Sequence, residues 1–356
     1  MNFVTITKEE FRSYAKKSPY KSFMQTPEIA KYREQNGWTS YYFGIEKEGT
    51  LKAAAMFVAK PTFLGKSTFI CPGGPLLDLE DVETTKFFLQ HLKAYAKSHN
   101  GYLLRIDPYY ELVERDRDGE LVEGGFNHKN VLTTLQSQGF KPVPDVGQPK
   151  YSFVLDISNR STDQLFTEMK RNTRNHIRKA EKTGVKIREL RRDELNIFKQ
   201  ITESTSARRH FTDKPLSYYE QMYDLFHDRG EVMFLLAEVT SEETIPLSAA
   251  MFILYGEEVI YLFSGSDEKY MKEYNAQYLI QWHMIKYAVE HGYKRYNFYG
   301  IQGLPDKTSK DYGIYDFKKG FTSEATGKVI ELVGSYEAPT NQIFNGLHHL
   351  LSRLKH

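Results

Sequence analysis

The sequence has almost no cysteine. Cys71 is the only one in 356 residues, which excludes an internal disulfide and a cysteine-ligated metal cluster and fits a reducing compartment. It has no marked excess of either charge. Lys and Arg number 48 against 46 Asp and Glu, so a polyanion has to be met by a local patch rather than by the field of the whole molecule. Long apolar runs are missing too. The longest, around AAAMFVA, is far too short to span a bilayer. The opening stretch, MNFVTITKEEF, carries acids early and has no apolar signal-peptide core. Together these absences predict a cytoplasmic protein, with peripheral membrane contact left open. There is no HExxH, and the adjacent pair His348 and His349 cannot share a helix face, so no metal is expected. No GxSxG elbow is present, and Cys71 within CPGG reads as a small buried hydrophobe.

What is present is length, aromatics and a repeated pattern. The chain is longer than one hydrophobic core supports, which predicts two domains. In the second half, two strand-like runs, PLSAAMFILYG and EEVIYLFSGSD, precede an amphipathic helix with Ala276, Ile280, Met284 and Ala288 on one stripe and Leu279 beside it. Gly292 ends that helix. A strand, KRYNFYG, a loop and a basic-aromatic segment, YDFKKGF, follow. The first half repeats the order: YYFGIEKEG, TLKAAAMFVAK and STFICPGG, then a helix opening near Asp78 and Glu80 with Phe88, Leu92 and Ala96 inward, then YLLRIDP. Antiparallel strands, a helix and a further strand, met twice, predict an α+β protein made of two tandem domains resembling the acyl-CoA N-acyltransferase (GNAT-like) fold. The Pro-rich KPVPDVGQPK marks the boundary. The expected first domain is 1–149 with a returning strand and helix from about 330 to 356, and the second is 150–329. Residues 1–40 read as a strand, a helix and a loop ending at Trp38. The C-terminal stretch reads as a helix with Ile343, Leu347, Leu350, Leu351 and Leu354 inward.

The turns that would cradle the pyrophosphate of coenzyme A, GSDEKYMKEYNAQ and PGGPLLDLEDVE, offer no glycine-rich nest. The acyl group is therefore expected on another carrier, with no cofactor. A cationic run, MKRNTRNHIRKAEK, gathers Lys170, Arg171, Arg174, Arg178 and Lys179. Arg171, Arg174 and Arg178 share a helix face by spacing, which suits either a solvated face or an RNA backbone. Lys318 and Lys319 sit between Phe317 and Phe321, either as surface lysines or as a positioned, partly desolvated cation.

Taken together, SFMQTPEIAKYREQNGW, YLLRIDP, MKRNTRNHIRKAEKTGV, KPLSYYEQM, VIYLFSGS with AQYLIQW, NFYG and YDFKKGF resemble, in content, order and spacing, the Fem-type (FemABX) nonribosomal peptidyltransferases. The resemblance covers nearly the whole chain. It implies an aminoacyltransferase that moves an amino acid from aminoacyl-tRNA to the stem-peptide amine, a lysine side chain, of a peptidoglycan precursor. Many members carry a coiled-coil arm in the second domain; this chain has no room for one between Tyr151 and Tyr255 and resembles the armless branch. That branch uses the soluble UDP-MurNAc-pentapeptide, and a lipid-linked muropeptide is the other acceptor the family implies. The resemblance makes Lys318 the catalytic lysine and Phe317 its positioning neighbour, with Asp107 a weaker base candidate. Arg33, Lys214, Tyr218, Tyr261 and Phe263 fall at the muropeptide site. The branch has lysine and arginine where this chain has Arg33 and Lys214, and a tyrosine where it has Phe263. Lys170, Arg171, Arg174, Arg178 and Lys179 are the expected tRNA contacts, and DNA is not an expected partner. The alternatives are transfer to another acceptor, such as a protein N-terminus or a lipid, and a non-catalytic tRNA- or muropeptide-binding protein.

Overall fold

The computed structural model describes residues 1–144, 147–209, 212–240 and 242–346. The chain divides into two compact units, one made of 1–114, 123–150 and the segment after 330, the other of 115–122 and 151–330.

The first unit contains strands β1 (Asn2–Thr5), β2 (Thr39–Lys47), β3 (Thr50–Pro61), β4 (Ser67–Cys71), β5 (Gly101–Ile106), β6 (Glu111–Glu114) and β7 (Lys141–Pro142). Its helices are α1 (Lys8–Lys17), α2 (Pro27–Gln35), α3 (Val82–Ser98) and α4 (Asn130–Ser137). The second unit contains β8 (Tyr151–Asp156), β9 (Lys186–Glu189), β10 (Val232–Thr240), β11 (Thr244–Tyr255), β12 (Glu258–Ser266), β13 (Arg295–Ile301) and β14 (Gly327–Leu332). Its helices are α5 (Thr162–Glu168), α6 (Arg171–Lys182), α7 (Leu195–Arg209), α8 (Leu216–Phe226), α9 (Glu268–Tyr274), α10 (Ala276–Glu290) and α11 (Tyr312–Lys319). A last strand, β15 (Tyr336–Pro339), returns to the first unit.

The first sheet runs β1–β2–β3–β4–β5–β15–β7, with β4 and β5 parallel. In the second unit the order is β14–β8–β13–β12–β11–β10–β9, with β12 and β13 parallel. Each sheet thus has a parallel pair bridged by a long helix, α3 or α10; the repeated pattern predicts the helix and the strand after it, and the structure adds the parallel pairing. Each helix lays its apolar stripe on its own core. Phe88, Leu89 and Leu92 meet Phe43 and Leu104, while Ile280, Met284 and Ile285 meet Phe252 and Tyr296. Gly292 follows α10 in a left-handed conformation (φ 75°). Cys71 is fully buried. Among the described residues no helix is long and apolar enough to cross a membrane.

Three local expectations change, and one segment gains an element. The loop expected before Trp38 contains α2, which Thr26 caps by accepting a hydrogen bond from the Ile29 N–H, with Pro27 in its first turn. The helix α3 starts at Val82 under an Asp81 cap rather than at Asp78. YDFKKGF, to which the sequence pattern assigns no element, lies in a helix, α11, as far as Lys319, with Tyr315 and Lys318, three apart, buried on the same face. Ile343 is 88% exposed and so does not face inward; Leu347, Leu350, Leu351 and Leu354 lie outside the described residues.

Candidate active site

The parallel strands β12 and β13 are paired only from Glu258–Arg295 to Ile260–Asn297. Beyond that point β12 runs on to Ser266 beside β11, while β13 breaks register after Asn297 and pairs with β8 through Gly300 and Ile301. The strands separate into a wedge. The break is built on Tyr299, a non-glycine residue held at φ 62°. Such a conformation costs about 1–3 kcal/mol. The fully buried Asn297 supports it by accepting the Tyr299 N–H at 2.8 Å.

The wedge is a cleft of about 470 Å³ lined by the diverging strands, the start of α10, the end of α7 and one face of α11. Gly265 lets the α7 backbone approach β12, since a Cβ there would lie 2.5 Å from the Ile201 carbonyl. Thr205 then ties α7 to the strand end, its hydroxyl accepting the Ser266 N–H at 2.9 Å.

Lys318 lies on the cleft wall, 5% exposed. Its Nζ donates to the Tyr299 carbonyl at 3.1 Å and to the Gly300 carbonyl at 2.5 Å. Burial brings its pKa down to about 7. An ammonium has three N–H donors, and two are used here, so one is left for a ligand. Neighbours fix the helix that carries it. Tyr315 donates to the Arg117 carbonyl at 2.7 Å, and Lys319 pairs with Asp118. Phe317 packs against Tyr278, ring centroids 4.9 Å apart, and against Phe321 at 5.3 Å. The surface-lysine reading therefore fails for Lys318.

Tyr261, Phe263, Phe317 and Lys318 line this one cleft. Tyr218 meets Phe263 edge-on at 5.7 Å, and Lys214 Nζ lies 5.6 Å from the Tyr218 ring centre. The loop carrying Lys214 is pinned by Asp213, whose carboxylate accepts from Lys199 at 2.8 Å, Thr202 at 2.9 Å and Tyr219 at 2.6 Å. Burial works to raise the Asp213 pKa, but these three donors leave it below the ordinary carboxylate value. Arg33 and Asp107 belong to the first unit. The Arg33 guanidinium lies 5.2 Å from the Trp38 ring centre. Asp107 is buried, its N–H donating to the Gly74 carbonyl at 3.1 Å and its Oδ1 accepting from Ser335 at 3.0 Å.

The basic run is a helix, but its cations are not equally available. Lys170 pairs with Asp316 at 2.6 Å, Arg174 donates to the Thr167 carbonyl, Arg178 lies over Phe166, and Lys179 donates to the Lys272 carbonyl. Arg171 stays exposed at the helix start. Three features are not anticipated by the sequence pattern: Arg208 and Arg209 at the cleft, Tyr278 as the wall behind Phe317, and the left-handed Tyr299. The Arg-Arg pair ending a helix in TESTSARR is a visible signal for the first. Nothing in NFYG announces the third.

Two sheets, each with a parallel strand pair bridged by a long helix, and a splayed pair in the second, make a tandem GNAT-like fold. The FemAB family pattern matches residues 6–244 and again 238–353, and the chain belongs to that family. Aminoacyltransferase FemA of Staphylococcus epidermidis is 28% identical, with all of both chains covered. That alignment runs to 424 positions, so the relative carries sequence this chain lacks. The crystal structure of FemX superposes with a TM-score of 0.81 at 23% identity, covering 98% of this chain and 99% of that one. A tandem GNAT protein from the clavulanic acid pathway gives 0.55 at 10% identity, covering 95% and 98%. The chain is an enzyme of the aminoacyltransferase class, and no long arm is present among its described residues.

Proposed function

We propose that the chain transfers an aminoacyl group from a charged tRNA to the stem-peptide amine, a lysine side chain, of a peptidoglycan precursor, and so builds the interpeptide bridge in the cytoplasm. One observation carries this reading: Lys318 is buried in the cleft with two donors fixed on backbone carbonyls and one left over. The acyl donor is an activated ester, so the reaction needs no nucleotide hydrolysis. The neutral acceptor amine attacks the ester carbonyl, whose oxygen becomes negative in the tetrahedral intermediate. The remaining Lys318 N–H stabilises that oxygen, and the low-dielectric wall makes the contact stronger than it would be in water. On collapse the ester C–O bond breaks, the proton shed by the attacking nitrogen passes to the departing ribose oxygen, and an amide is left. Phe317 and Tyr278 hold the lysine stem in line. Arg33, Lys214 and Tyr218 bind the precursor, and the exposed end of α6 meets the tRNA. Asp107, hydrogen-bonded to Ser335, serves best as a positioning group.

The test is incubation with a mixed charged-tRNA pool and UDP-MurNAc-pentapeptide, followed by mass measurement. The expected product is heavier by one aminoacyl residue, carried on the lysine. A precursor of unchanged mass, with the same pool acylating a lipid or a protein N-terminus, would overturn the acceptor assignment.

A further inference from the structure

Beyond Lys318, the cleft has two more cations, Arg208 and Arg209. They follow Thr205 by three and four positions on α7, one turn beyond its tie to Ser266, so the helix presents both to the same opening. Arg209 is exposed, has no carboxylate partner among the described residues, and lies close enough to Tyr261 for its charge to act on the phenol. Arg208 has a loose pair with Glu268 at 3.9 Å and a contact with the Met271 sulfur at 3.5 Å. No carboxylate lines the cleft among the described residues. Three cations around aromatic walls suit a nucleotide, whose phosphate takes the guanidinium and whose base stacks on a ring.

The chemistry of the two substrates separates them. In an aminoacylated RNA end the ester sits on the last ribose, and the nearest phosphodiester joins the 5′ oxygen of that same ribose. In a nucleotide-linked muropeptide the diphosphate is separated from the stem-peptide amine by an amino sugar and several residues. The first substrate therefore keeps a phosphate within one ribose of its reacting carbonyl, while the second holds its diphosphate far along the molecule from its reacting amine. We propose that Arg208 and Arg209 bind the phosphodiester preceding the 3′-terminal adenosine of the acyl donor, so that this cleft receives the last nucleotide of the RNA. The inference rests on the aminoacyl-transfer reading above.

The test compares two minimal donors, aminoacyl-adenosine and aminoacylated cytidylyl-(3′→5′)-adenosine, which differ by one phosphodiester and one nucleoside. Wild type should prefer the dinucleotide, and Arg208→Ala with Arg209→Ala should reduce the ratio of the two kcat/KM values about tenfold to hundredfold, the range for charge-assisted contacts. The KM for UDP-MurNAc-pentapeptide should hold. Binding of unacylated cytidylyl-adenosine, measured by calorimetry, should weaken in step. An unchanged ratio with unchanged dinucleotide affinity would overturn the proposal. So would a raised precursor KM with the ratio intact, which would assign the arginines to the acceptor's diphosphate. Binding abolished on substitution while wild type transfers from neither donor would sustain the phosphate site and reject the transfer reading.

Discussion

The Lys318 ammonium is held at 3.1 Å by the carbonyl of Tyr299, and Tyr299 is itself in a left-handed backbone at φ 62°. The acceptor that orients the lysine is therefore a strained peptide, kept in that state by the Asn297 side chain.

Asn297→Ala removes the support. Loss of a buried hydrogen bond costs about 1–3 kcal/mol, readable by urea unfolding. Turnover should fall as well, because the carbonyls at 299 and 300 lose their register against Lys318. A variant as stable and as fast as wild type would show that the strain is held elsewhere.

Lys318→Met keeps the stem and removes the charge. Turnover should fall about 10²–10³-fold with little change in either KM. Lys319→Met should do far less, since it removes a pair with Asp118 and none of the contacts to the Tyr299 and Gly300 carbonyls. Equal losses at both positions, measured with one charged tRNA, would falsify the assignment.

Protonation of Lys318 has two readouts. Burial lowers its pKa from 10.5 to about 7. Between those values the unfolded chain binds the proton and the folded chain does not, so folding stability should rise with pH across that window. Lys318→Met should lack this rise when the two denaturation curves are compared from pH 7 to 10. Turnover relying on the ammonium should decline as pH climbs through about 7, a limb that Lys318→Met should not show.

On α6 the structure separates the arginines. Arg171→Glu, at an exposed position, should weaken charged-tRNA binding and reduce the slope of affinity against salt by about 0.7–0.9 for each phosphate no longer neutralised, without lowering stability. Arg178→Glu also removes the stacking of its guanidinium on Phe166 and should cost stability. A salt slope untouched by Arg171→Glu would leave the run as a solvated face.

Arg33→Ala and Lys214→Ala should each raise the muropeptide KM more than they lower turnover, by about 1.5–3 kcal/mol in binding. Asp213→Asn, which touches no ligand, should raise the same KM by loosening the Lys214 loop. A normal KM in either alanine variant would remove that residue from precursor binding.

Hydrophobic periodicity makes the tandem sheets and long helices legible, because Ile280, Met284 and Phe88 recur at helical spacing and β11 is apolar along most of its length. The helix α2 does not stand out by periodicity, although Thr26 and Pro27 announce its start, and α11 is hidden because its buried face includes a lysine. The family resemblance singles out Lys318, but its two carbonyl partners depend on where β13 leaves β12, a tertiary event no local pattern encodes. The cleft arginines are in view as letters; only the approach of α7 to Gly265 gives them a common direction.

The first unit has the same parallel pair, yet there β4 and β5 stay paired along the whole of β4, from Ser67–Gly101 to Cys71–Ile106. Gln25 seals the end of β4, its amide donating to the Pro72 carbonyl at 2.7 Å and to the Met56 carbonyl at 3.0 Å. The duplication is thus unequal, with one wedge open and its counterpart stitched shut. The stoichiometry follows: despite two acyltransferase-like halves, each polypeptide should accept a single acyl donor, and a rapid-mixing experiment should saturate at one aminoacyl equivalent per chain.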